Sequence, residues 1–75
     1  MAEGRQLRGI KSDDAIRAFV RAGGVLRMGR GNHADIKMPN GMTVTIPRTG
    51  ELKVGLMKVA IRRAGLTEER FSELV

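Results

Sequence analysis

Seventy-five residues, with fourteen Lys and Arg against eight Asp and Glu and a formal charge of +6, describe one small cationic domain with little apolar surface to bury. There is no cysteine, which excludes a disulfide framework, a thiolate metal site and a cysteine nucleophile, and which suits a reducing cytoplasm. No apolar run approaches the roughly 20 residues of a membrane-spanning helix, and the start, MAEGRQLRGI, lacks the apolar centre of a secretion signal, so a cytoplasmic protein without a membrane partner is expected.

Residues 1–10 read as a loose basic leader, and residues 11–75 as a single domain. Ser12 is placed to cap a first helix, with Asp13 and Asp14 in its first turn, where carboxylates suit the helix dipole. In DDAIRAFVRAGG the residues Ile16, Phe19 and Val20 recur at helical spacing while Arg17 and Arg21 turn away, and Gly23-Gly24 ends the run. Leu26 and Met28 then alternate with Arg27 as a short strand. HADIKM alternates again, with Ala34, Ile36 and Met38 to one side and His33, Asp35 and Lys37 to the other. Pro39-Asn40-Gly41 signals a hairpin. In MTVTI, Met42, Val44 and Ile46 face one way, Thr43 and Thr45 the other, and Pro47 closes the strand. A loop, RTGEL, leads to a helix over about Lys53–Ala64 with Met57, Ala60, Ile61 and Ala64 as its apolar stripe and Gly65 as its stop. Thr67 begins a last short helix that would dock Phe71 and Leu74.

Strands spaced this closely leave no room for crossovers, so the sheet should be a three-stranded antiparallel meander. Its Leu26/Ile36/Val44 face needs the two main helices as cover, which predicts a two-layer α+β domain. The other face should be open and polar, carrying Arg27, His33, Asp35, Lys37, Thr43 and Thr45.

The charge suits a binder of phosphate backbones, solubility, or an acidic protein partner. Only Phe19 and Phe71 are aromatic, and both fall in helical patterns, which argues against base stacking and leaves RNA contact to electrostatics. Gly29-x-Gly31-x-x-Ala34 matches a dinucleotide fingerprint as text, but a strand and a hairpin follow it instead of a helix. Ser12 and Ser72 lack the setting of an activated nucleophile, and one histidine with scattered carboxylates gives no metal-ligand spacing. No cofactor is implied.

His33, the only histidine, is the candidate for chemistry. It stands outward at the start of a strand, two residues after Gly31, whose bare backbone admits a close ligand. Imidazole takes and gives protons near neutral pH, the transfers a phosphodiester reaction needs. Asp35 and Lys37 share its face, and Arg30 is close in sequence. At the start of the second long helix, free backbone N–H groups with Arg48 and Lys53 could hold a phosphate.

The stretch GRGNHADIKMPNGMTVTIPRTGELKVGLMKVAIRRAGLTEERF resembles the HicA-type (YcfA-like) toxins of toxin–antitoxin modules, and the resemblance extends over residues 12–75. Family members run Gly-Ser/Gly-His, a short strand, a Pro-Asp/Asn-Gly turn, a valine-rich strand ending in Pro, a Gly-Glu-Leu helix start and an Arg-x-Ala-Gly-Leu segment. The resemblance implies an α-β-β-β-α fold like a double-stranded-RNA-binding domain. It implies an mRNA interferase held in check by a HicB-type antitoxin. It puts the catalytic histidine on His33 and the preceding glycine on Gly31. Asn32 stands where Ser or Gly is usual and still offers a phosphate a hydrogen bond. Gly24 and Ile36 stand where aromatics are frequent.

Together these readings give a metal-independent endoribonuclease with His33 as general acid or base and RNA contacts from Arg27, Arg30, Gly31, Asn32, Lys37, Arg48 and Lys53. The competing readings are a non-catalytic RNA-binding module of the same fold and a pure partner for an acidic protein. Cleavage of purified RNA separates the first from the others.

Overall fold

The structure, a computed structural model, describes residues 7–28 and 31–75. Residues 1–6, Gly29 and Arg30 lie outside the described residues, as does the side chain of Met28. The elements are α1 (Ser12–Arg21), β1 (Val25–Met28), β2 (His33–Lys37), β3 (Thr43–Pro47), α2 (Val54–Arg63) and α3 (Glu68–Leu74). The strands form one antiparallel sheet in the order β1-β2-β3. The helices α1 and α2 pack on one face of it, and α3 packs on both of them. This is the α+β architecture of a double-stranded-RNA-binding domain.

Alternation decides which face is covered. Leu26, Ile36 and Val44 lie in one cross-strand row and Ala34 and Ile46 in the next, and both rows look toward the helices. Ile36, Val44 and Ile46 are fully buried there, against Phe19 of α1 and Met57 and Ile61 of α2. The rings of Phe19 and Phe71 meet at 5.0 Å and 45°, joining α3 to the core. Such a tilted pair adds about 0.5–1.5 kcal/mol beyond its burial. The apolar pattern overreaches at its margins: Val20, Leu26 and Met42 are exposed because they sit where the helical layer ends.

The helix ends are hydrogen-bonded as the sequence leads one to expect at their C-termini. After α1, Gly23 N–H donates to Val20 C=O and Gly24 N–H to Phe19 C=O. After α2, Gly65 N–H donates to Arg62 C=O and Leu66 N–H to Ile61 C=O. Both are the reciprocal closure that a glycine at this position allows. Thr67 caps α3 by accepting from Arg70 N–H at 3.0 Å. The expected Ser12 cap is corrected: α1 begins at Ser12, its flanking residue is Lys11, and no side chain caps it. Ser12 is buried, and its N–H donates to Gly50 C=O at 2.6 Å.

That bond belongs to a second correction. Leu7 and Ile10, assigned above to a loose leader, are buried in the core. Leu52 N–H donates to Ile10 C=O at 2.8 Å, and Lys11 bridges Glu51. The chain just before α1 is therefore stitched to the loop just before α2. Two apolar residues three apart carry too little periodicity to reveal this.

The hairpin between β2 and β3 forms over Pro39-Asn40-Gly41, but not as a two-residue Asn-Gly turn. Gly41 N–H donates to Met38 C=O, Met38 N–H donates to Met42 C=O, and only Gly41 has a positive φ, +89°. This is a three-residue loop that closes with glycine in the left-handed region. Asn40 makes it specific: its Oδ1 accepts from Met42 N–H at 2.9 Å and its Nδ2 donates to Arg63 C=O at 3.1 Å, tying the hairpin to the end of α2.

The two departures from the family pattern meet in space. A Cβ built on Gly24 would lie 2.5 Å from Ile36 Cγ2, so Gly24 and Ile36 fit as a pair. The core closes over them with Phe19 and Phe71.

Candidate functional site

The open face is laid out in three cross-strand rows. His33 is opposite Pro47; Arg27, Asp35 and Thr45 form the middle row; Val25, Lys37 and Thr43 form the far row. Successive rows are two residues apart, about 7 Å. All of these side chains turn away from the helices, as the alternation predicts, with His33, Arg27 and Lys37 exposed.

His33 opens β2, at the rim of this face. The turn that delivers it contains Gly31 at φ +58°, a conformation that disfavours side chains, and a Cβ there would meet nothing within 4 Å. Conformation rather than crowding calls for glycine, and the space beside it is open. Asn32 C=O accepts from Arg48 N–H, which extends the β2–β3 ladder one pair beyond His33 and holds that rim. Asp35 is half-buried, and the Thr45 hydroxyl donates to its Oδ1 at 2.8 Å. The carboxylate is thereby oriented across the strands, with Arg27 opposite on the other side.

The register sorts the expected contacts. Gly31, Asn32 and His33 are contiguous at the rim, and Arg27 is one row away. Lys37 is two rows away, about 13 Å along β2, farther from His33 than Arg27 is. Arg48 has its backbone at the rim, but its side chain lines a cavity on the covered side with Asp13, Ile16, Arg17, Val20 and Leu26. Lys53 immediately precedes α2, which has no acidic residue in its first turn. Arg30 lies outside the described residues. The aromatics do not reach the open face, since Phe19 and Phe71 are buried. Ser12 and Ser72 are buried in helices. Among the described residues no three His, Asp or Glu side chains gather as a metal site, and no helix is long and apolar enough to cross a membrane.

Sequence reasoning missed Asn40 and Arg63 as organising residues, because each acts on a backbone carbonyl more than twenty positions or twenty positions away. Asn40 reaches Arg63 C=O, and Arg63 Nε donates to Thr43 C=O at 2.8 Å. No local pattern announces such bonds.

A helix-covered sheet whose free side is polar, basic and marked by one histidine at its rim defines a protein of the double-stranded-RNA-binding-domain-like class. The family described as HicA toxin of bacterial toxin–antitoxin matches residues 12–66, and the chain belongs to that family. It is the toxin of a toxin–antitoxin module, and its partner is an antitoxin. No curated protein matches it. The matched span contains α1, the sheet and α2, whereas Leu7, Ile10 and Phe71 of the core lie outside it.

Proposed function

We propose that this toxin is an endoribonuclease that cleaves mRNA without a metal ion and stops translation until a HicB-type antitoxin covers it. The observation that carries the reading is His33, the only imidazole of the chain, exposed at the rim of a cationic sheet face beside an open glycine turn.

The RNA supplies the nucleophile. Its 2′-oxygen attacks the adjacent phosphorus, the P–O5′ bond breaks, and the products are a 2′,3′-cyclic phosphate and a 5′-hydroxyl. One proton leaves the 2′-hydroxyl and one must reach O5′. His33 serves one of these transfers; water or a lysine serves the other. Arg27, with Arg30 in the adjoining segment, offsets charge developing on the phosphoryl oxygens. Asn32 and the Gly31 backbone seat the phosphate, Lys37 holds the strand farther along, and Arg48 and Lys53 add positive potential beyond the rim.

His33→Ala tests the assignment. The side chain is exposed, so the variant should keep its fold by circular dichroism while RNA cleavage falls by about 10²–10⁴-fold. A folded variant that cleaves as fast as the parent would remove His33 from the chemistry. A parent that binds RNA and never cuts it would make the protein a binding module.

A further inference from the structure

The open face is not the only unpartnered surface. β3 is an edge strand, and between it and α2 runs a groove of about 580 Å³ whose lining includes Val44, Gly55, Leu56, Val59, Ala60 and Arg63. Val59 is 65% exposed, the most of any large apolar side chain described. A Cβ on Gly55 would meet nothing within 4 Å, so the groove is open along the helix.

The register shows what the edge offers. Met38 pairs with Met42 and Asn32 with Arg48 through hydrogen bonds, so Val44 and Ile46 are the hydrogen-bonded positions between them. Thr43 and Thr45 therefore turn their N–H groups away from β2, over the groove. Arg63 takes the Thr43 carbonyl at one end, and Pro47, which has no N–H, ends the edge at the other. What remains is a short backbone template of about five residues, floored with apolar side chains, which is the arrangement that receives an added strand.

Charge selects the occupant. The α2 segment carries Lys58, Arg62 and Arg63, is preceded by Lys53, and contains no acidic residue. A second copy would bring the same cations against these. RNA would leave the apolar floor unmatched. We infer that this groove receives an extended segment of the antitoxin, added to the edge of β3, with apolar residues at alternate positions entering between β3 and α2 and acidic residues facing the α2 cations. The inference rests on the family's antitoxin partner and not on the chemistry assigned to His33.

The test uses the full chain and its complex with its antitoxin. Amide hydrogen exchange should slow at Thr43 and Thr45 in the complex, as their N–H groups gain partners. Val59→Glu should weaken the complex by about tenfold or more, because it puts a charge into the buried apolar contact. Gly55→Ile, which fills the groove from the helix side, should do the same, and both variants should cleave RNA as the parent does when the antitoxin is absent. Unchanged exchange at Thr43 and Thr45, or undiminished affinity in the folded variants, overturns the proposal. Protection of these amides in the antitoxin-free chain that grows with its concentration would assign the edge to a second copy and overturn it equally. Loss of RNA cleavage in the parent would bear on the proposed activity alone.

Discussion

Gly24→Ala is the substitution whose cost can be worked most closely from the structure. The added Cβ would lie 2.5 Å from Ile36 Cγ2, 2.8 Å from Met38 Sδ and 2.9 Å from the Phe19 carbonyl oxygen. Carbon atoms settle at about 3.5–4.0 Å, so the first contact is short by about 1 Å. Met38 can swing its thioether aside. Ile36 cannot: it is β-branched, fully buried and on the central strand of the sheet. The Phe19 carbonyl is equally fixed, since it accepts from Gly24 N–H at 3.0 Å. Overpacking of this kind costs about 1–3 kcal/mol, and the stiffer unfolded chain returns about 0.4–1 kcal/mol. A net loss of about 1–2 kcal/mol is expected, against a total of about 4–11 kcal/mol for a domain of this length. Urea titration should show it as a lowered midpoint with an unchanged slope, and thermal melting as a fall of about 5–15 °C. Ile36→Leu removes the offending Cγ2, so in that background Gly24→Ala should cost less by about 1 kcal/mol. A Gly24→Ala protein within about 0.5 kcal/mol of the parent, or strict additivity with Ile36→Leu, would refute the reasoning.

Asn40→Ala should destabilise by about 1–2 kcal/mol in the same urea titration, because it removes one bond to Met42 N–H and one to Arg63 C=O, both near the surface; parental stability would mean that the hairpin does not need its tie to α2. RNA affinity should fall steeply with salt, and Arg27→Glu should flatten that dependence by about 0.7 in logarithmic slope or more for single-stranded RNA. Arg17→Glu, on α1 and 3.5 Å from Asp14, should change it less; equal effects in filter binding would misplace the RNA surface.

Most of the fold could be read from periodicity, because a face covered by helices leaves its mark at every second strand residue. Ala34, Ile36, Val44 and Ile46 are buried as the alternation requires, and His33, Lys37, Thr43 and Thr45 are exposed with it. The α2 stripe Met57-Ala60-Ile61-Ala64 is buried in full. What periodicity misses is where a layer stops and what distant segments do. Val20, Leu26 and Met42 keep the pattern yet lie at its edge. Leu7 and Ile10 become core residues only because the loop before α2 pairs with the chain beside them. The placement of His33 on the outer rim followed from counting by twos. Arg48 lines the helix side because the ladder runs one pair past Pro47, so the count that turns Val44 and Ile46 inward carries on to it, and the proline hid that continuation in the sequence.

The proposed chemistry depends on a nucleophile that the RNA itself provides, so the most direct test changes the substrate and leaves the protein intact. A single 2′-deoxyribose is placed on the 5′ side of the phosphate that the toxin cuts, and cleavage is followed with and without EDTA. The reaction should stop at that position while binding is largely retained, EDTA should have little effect on the all-ribose RNA, and the upstream product should end in a 2′,3′-cyclic phosphate or its hydrolysis product. Cleavage of the deoxy-substituted RNA, or a downstream product bearing a 5′-phosphate, would contradict attack by the 2′-oxygen and require water as the nucleophile.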